Sequence, residues 1–135
     1  MPSVMADHDV EGQVRILLRI LMSEDWREFW LELGYQIASF ASVGIATNIA
    51  DIELWRVCQA REIVLITGNR NKEGPASLEA TIAQWATPES LPVLTIGEPQ
   101  RIFSSREYAH RAAERLLAYL DRMDHLRGTG RLFLP

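Results

Sequence analysis

The short apolar stretch from Ser3 to Ala6 stops at Asp7-His8-Asp9, and from Val10 the spacing of hydrophobic positions changes. Val10, Val14, Leu17, Leu18 and Leu21 fall on one helical face, with Gln13, Arg15 and Arg19 elsewhere, which predicts a brief strand, an acidic turn and a helix. Asp25 and Glu28 have capping-box spacing ahead of Phe29, Trp30 and Leu33, and Gly34 supplies a stop, so a second helix is predicted there. Tyr35 to Phe40 is β-prone and is followed by a loop at Ser42-Val-Gly44, after which Ile52, Trp55 and Cys58 mark a helix over Asp51 to Ala60. Ile63 to Thr67 is an uninterrupted aliphatic and β-branched run of the kind buried on both faces of a parallel sheet. It breaks at Gly68-Asn-Arg-Asn71. Ser77 caps a predicted helix through Trp85, Pro92 to Ile96 reads as another buried strand, and Ser104 and Glu107 have capping-box spacing before a long helix striped by Ala109, Ala112, Ala113, Leu116, Leu117 and Leu120. Gly128-Thr-Gly130 reads as a turn, and the apolar Leu132 to Leu134 predicts a tail that packs down.

Strands alternate with helices, and their connections are too long for hairpins. The pattern therefore predicts an α/β fold, a three-layer αβα sandwich with a mostly parallel central sheet, over a single domain spanning residues 1–135. In such sheets ligands bind beyond the carboxyl ends of the strands. That rule selects Asp7-His8-Asp9 and Gly68-Asn-Arg-Asn71.

Composition narrows the function classes. With 135 residues, 47% of them hydrophobic, the chain can bury a core without disulfides, and Cys58 as the lone cysteine is expected to be a buried, inert thiol in a reducing compartment. No basic leader followed by an apolar run opens the sequence, and apolar stretches are interrupted before spanning length, so a cytoplasmic protein with no membrane association is expected. A net charge of −4 excludes a broadly basic nucleic-acid-binding surface, leaving only local contacts. His8, His110 and His125 lack zinc-site spacing, and Walker and nucleophile-elbow sequences are absent. The four tryptophans sit in helical patterns and read as packing residues, and Phe133 and Leu134 beside Arg131 suit a homodimer surface.

The remaining chemistry lies in oxygen ligands. Asp7 and Asp9 alternate in a turn and can converge on a hard cation such as Mg²⁺ or Mn²⁺, or one of them can simply cap the following helix. Asp51 and Glu53 open a helix, where dipole electrostatics alone would favour them. The Asn69 and Asn71 amides suit a turn, a cation or a phosphate, and Arg70 between them suits a phosphate.

In this order of features, Val4 to Asp9, then Asp51 to Ala60, then Val64-Leu-Ile-Thr-Gly-Asn-Arg-Asn71, the chain resembles the PIN-like nucleases, in particular the small bacterial PIN-like proteins. The resemblance implies metal-dependent hydrolysis of RNA. Asp7 would be the first metal ligand with Asp9 as helper, and Asp51 the helix-borne ligand with Glu53 as second choice. Asn69 and Asn71 would stand among the catalytic residues, and Arg70 and His8 would bind substrate. The family commonly carries carboxylates where Asn69 and Asn71 stand, a departure that lowers the charge available to a cation, and Glu73 or Glu79 are candidates for the missing carboxylate. A toxin paired with an antitoxin is the implied biological setting. The competing expectations are a non-catalytic PIN-like module that binds nucleic acid or a protein partner, and a flavodoxin-like phosphate-binding protein.

Overall fold

A computed structural model describes residues 2–68 and 77–135. In chain order it contains β1 (Ser3–Ala6), a 3-10 turn (His8–Val10), α1 (Glu11–Leu21), α2 (Arg27–Leu33), β2 (Gln36–Ala38), α3 (Phe40–Val43) and α4 (Asp51–Ala60). There follow β3 (Ile63–Thr67), α5 (Leu78–Trp85), β4 (Val93–Ile96), α6 (Arg101–Ser104), α7 (Arg106–Asp121), α8 (Met123–Leu126) and β5 (Arg131–Leu134). The strands form one five-stranded sheet in the order β2-β1-β3-β4-β5, and every pairing is parallel. Register places Met5 beside Leu65, Thr67 beside Thr95 and Ile96 beside Leu134.

The period-2 alternation of strand side chains sends successive residues to opposite layers. Val4, Val64, Ile66, Leu94, Ile96 and Leu134 meet α1 and α7 in the larger core, where Leu17, Ala112, Ala113 and Leu116 are fully buried. The close approach of these two helices follows from the alanines of α7, which let the helix axes come together. On the other face Met5, Ile63 and Leu65 pack with Phe40, Leu54 and Cys58. Val93 packs with Trp55, Leu78 and Ile82. A doubly covered parallel sheet explains why β3 and β4 are buried at every position.

The αβα architecture is thus as expected, with local differences at element ends. Only Gln36–Ala38 of the stretch Tyr35 to Phe40 is a strand. Ser39 caps α3 by accepting from the Ser42 amide at 3.1 Å while the Ser42 hydroxyl accepts from the Ser39 amide at 2.9 Å, so Phe40 starts a helix instead. Asp25 caps nothing, because the Trp26 and Arg27 amides already donate to the Ser23 carbonyl and the chain coils one turn earlier. At the long helix the cap is Ser105, which accepts from the Tyr108 amide at 3.1 Å, since Ser104 belongs to α6. Ser77 caps α5 as the sequence predicts, accepting from the Ala80 amide at 3.1 Å. The apolar tail does pack down, and it does so as the fifth strand. Gly128 and Gly130, at φ +86° and +80°, turn the chain into β5 through backbone angles that other residues rarely adopt.

Candidate active site

In the order β2-β1-β3-β4-β5 the winding reverses between β1 and β3, the switch point beyond whose carboxyl ends sheets of this kind place their ligand crevice. Asp7 and Gly68 are the first residues past those two ends. The Asp7 amide still donates to the Ile66 carbonyl at 2.7 Å, extending the β1/β3 ladder by one bond and fixing the backbone from which the Asp7 side chain projects.

Both carboxylate oxygens of Asp7 are held. Oδ1 accepts from the His8 amide at 2.7 Å, closing the N-terminus of the 3-10 turn, and Oδ2 accepts from the Thr67 hydroxyl at 2.9 Å. Capping is therefore a real role of Asp7, and it leaves lone pairs on each oxygen for a further partner. Burial raises the Asp7 pKa above the ordinary carboxylate value; the Thr67 and His8 hydrogen bonds pull it down, and the Asp51 charge pushes it up. Asp9 is raised as well, first by burial and then by the charge of Asp7, while its own amide and that of Gly68 oppose the shift and Asp51 adds to it. Asp7, Asp9 and Asp51 thus share one electrostatic field at the crevice, contributed by the ends of β1 and the start of α4.

Gly68 is required here by space. A Cβ at this position would lie 2.9 Å from Pro99 Cγ, 2.9 Å from Val10 Cγ1 and 3.4 Å from Asp9 Oδ2. The missing side chain lets β3 leave the sheet directly beneath Asp9. Thr67 and Gly68 are positioning residues: the sequence selects the loop that begins at Gly68 but assigns neither residue a role of its own. The available signal was a polar residue ending an otherwise aliphatic strand, followed by glycine.

His8 stands at the open rim, its Nδ1 2.6 Å from Glu11 Oε1 and its ring edge-on to Phe40 at 6.2 Å. Glu53 faces Arg56 along its own helix at 3.7 Å, and it is not among the charges that shift Asp7 or Asp9. Glu79 is drawn away by Arg131, whose Nε lies 2.9 Å from its Oε2. Asn69, Arg70, Asn71 and Glu73 lie outside the described residues. Cys58 is 1% exposed, and burial with the nearby Asp7 charge pushes its thiol up to about 12, which makes it a packing residue and not a nucleophile. His110 and His125 are exposed, as expected of surface histidines.

The donor set consists of carboxylate oxygens, which suits a hard divalent cation. Among the described residues no three His, Cys, Asp or Glu side chains form a ready-made metal cage. The arrangement fits the open, water-rich coordination usual for Mg²⁺, with one or two carboxylates from protein and the remainder from solvent. Among the described residues no helix is long and apolar enough to cross a membrane. Compared with known proteins, the chain matches no protein-family model, no curated protein and no solved structure.

Proposed function

We propose that this protein is a divalent-cation-dependent phosphodiesterase of PIN-like type that cleaves RNA at the crevice beyond β1 and β3. The observation that carries this reading is a pair of carboxylates, Asp7 and Asp9, both raised first by burial, Asp9 further by the charge of Asp7 and each to a lesser extent by Asp51, at the switch point of a parallel sheet. Bringing like charges together opposes folding unless something positive is bound there, and perturbed carboxylates in a cleft are characteristic of functional sites.

Asp7 and Asp51 would hold the cation, with Asp9 beside them. When bound, Mg²⁺ or Mn²⁺ would lower the pKa of a coordinated water and offset the charge that gathers on the phosphoryl oxygens. The chain's own part is orientation. Thr67 and the His8 amide fix the Asp7 carboxylate, and two backbone amides fix Asp9, so neither has to reorganise on binding. Asn69, Arg70 and Asn71 follow Gly68 directly in sequence, and they are assigned to the scissile phosphate.

Titration calorimetry with Mn²⁺ on the wild type and Asp7→Asn, paired with cleavage of a labelled RNA, tests the reading. Binding heat and cleavage in the wild type, both lost in the variant, support it. Absence of heat in both proteins removes it.

A second reading has one observation in its favour: the strand order found here is also that of flavodoxin-like sheets, which place a phosphate-bearing ligand at this same switch point. It requires inorganic phosphate or a mononucleotide to bind with no response to divalent ions, so the same calorimeter separates the two.

A further inference from the structure

Tyr108, in the first turn of α7, is the largest fully buried side chain among the described residues. A buried phenol hydroxyl needs partners, and this one has two. It accepts from the Glu98 amide at 3.1 Å and donates to the Pro135 backbone oxygen at 2.5 Å. Glu98 belongs to the loop between β4 and α6, which is tied to the same ring a second time: Arg101 lies over Tyr108 at 4.6 Å and holds the Glu98 carboxylate at 2.9 Å. The residue after Glu98 reaches the acidic site. Pro99 Cγ and Asp9 Oδ2 both abut the open side of Gly68, 2.9 Å and 3.4 Å from the point where a Cβ would stand, and the Gly68 amide donates to the Asp9 carboxylate. Asp9 is therefore held against a wall that the β4–α6 loop supplies.

We propose that Tyr108 is a positioning residue for the acidic site: its hydroxyl holds the β4–α6 loop so that Pro99 keeps Gly68, and with it the Asp9 carboxylate, in place. The inference rests on the reading of that site as a cation-dependent phosphodiesterase and adds a residue that acts on it through others. Removing the hydroxyl would leave the Glu98 amide and the Pro135 oxygen without their buried partner, and the loop would have to move to satisfy them. A carboxylate whose supports loosen binds a cation less tightly although it is itself untouched. Tyr119 gives the comparison within the same helix. Its hydroxyl also donates to a backbone oxygen of β5, that of Phe133 at 3.0 Å, but among the described residues it has no hydrogen bond to the β4–α6 loop.

Tyr108→Phe, Pro99→Ala and Tyr119→Phe are compared with the wild type in two measurements. One is titration calorimetry with Mn²⁺. The other is amide hydrogen exchange of Gly68 in metal-free protein, taken as a ratio to that of Ile66 on the same strand, so that a general loss of stability affects both and divides out. Tyr108→Phe and Pro99→Ala are expected to weaken Mn²⁺ binding about tenfold and to raise the Gly68 ratio about tenfold, while Tyr119→Phe stays within about twofold of the wild type in both. The proposal is overturned by an unchanged Gly68 ratio in Tyr108→Phe, by an equal change in Tyr119→Phe, or by undiminished Mn²⁺ affinity in Tyr108→Phe when the wild type binds the ion. Absence of heat in every protein removes the phosphodiesterase, and the Gly68 ratio then decides the positioning claim by itself.

Discussion

Asp7 shows how a single side chain carries opposed demands. Its hydrogen bonds to Thr67 and the His8 amide favour the ionised form, but burial outweighs them and Asp51 adds to the burial, so the folded protein holds its proton more tightly than the unfolded chain does. Protonation therefore favours folding. The contribution is complete below the ordinary carboxylate value of 3.8, is lost as pH rises through the raised value, and leaves the ionised carboxylate as a net penalty near neutrality. Asp7→Asn removes the charge and can preserve both contacts, the amide oxygen accepting from His8 and the amide nitrogen donating to Thr67 Oγ1. It should raise the melting temperature by about 2–5 °C at neutral pH, with the gap closing as pH falls toward about 4, while Mn²⁺ binding is lost. A scanning calorimetry series across that range checks the sign, and a variant that melts lower at neutral pH contradicts it. At this scale the sequence was informative about which residues matter and silent about their state. Asp7 and Asp9 announce a charged turn, but their desolvation depends on segments distant in the chain, among them Gly68, whose open side lies against Asp9.

Among the elements, β5 is the most instructive. Arg131 and Phe133 alternate with Leu132 and Leu134, and the two leucines face the core shared by α1 and α7. Leu134 is 0% exposed, whereas Phe133, one residue earlier on the opposite face, is 44% exposed. Leu134→Ala should therefore cost about 2–4 kcal/mol in urea unfolding, and Phe133→Ala should stay within about 0.5 kcal/mol. Equal costs would mean that the tail is not seated as a strand. A four-residue segment beside glycines carries too little periodicity to be told from a packed coil, so only its burial was legible and its pairing with β4 was not. The helix starts show the same limit. Ser77 and Asp51 were readable because nothing else competes at those positions, while Asp25 and Ser104 were displaced by coils that begin earlier in the chain.

Across the whole molecule, the sheet order decides both where the site lies and how stability is distributed. β3 is the middle strand, paired on both edges and covered on both faces, while β2 is a three-residue edge strand with Ile37 54% exposed. In native-state hydrogen exchange the amides of Val64 to Ile66 should open only with global unfolding, and those of Gln36 to Ala38 should exchange at least about 100-fold faster. Comparable protection of the two strands would argue against this order. The acidic site stands at the end of the central, fully buried strand, through Thr67 and Gly68, which gives its carboxylates a rigid support.

Hydrophobic periodicity by itself determined the α/β class, the parallel character of the sheet, the burial of Ile63 to Thr67 and the helical stripe of α7, because these follow from which side chains must leave water along a locally regular backbone. It also placed Asp7 and Gly68 at strand ends. Only the tertiary structure decided that β1 and β3 are neighbours at the reversal of winding, that Asp51 comes to the same crevice while Glu53 turns to Arg56, and that the last residues close the sheet. Strand order and side-chain convergence depend on packing between segments distant in sequence, and a one-dimensional pattern of polarity records each segment's need for burial without recording the partner that satisfies it.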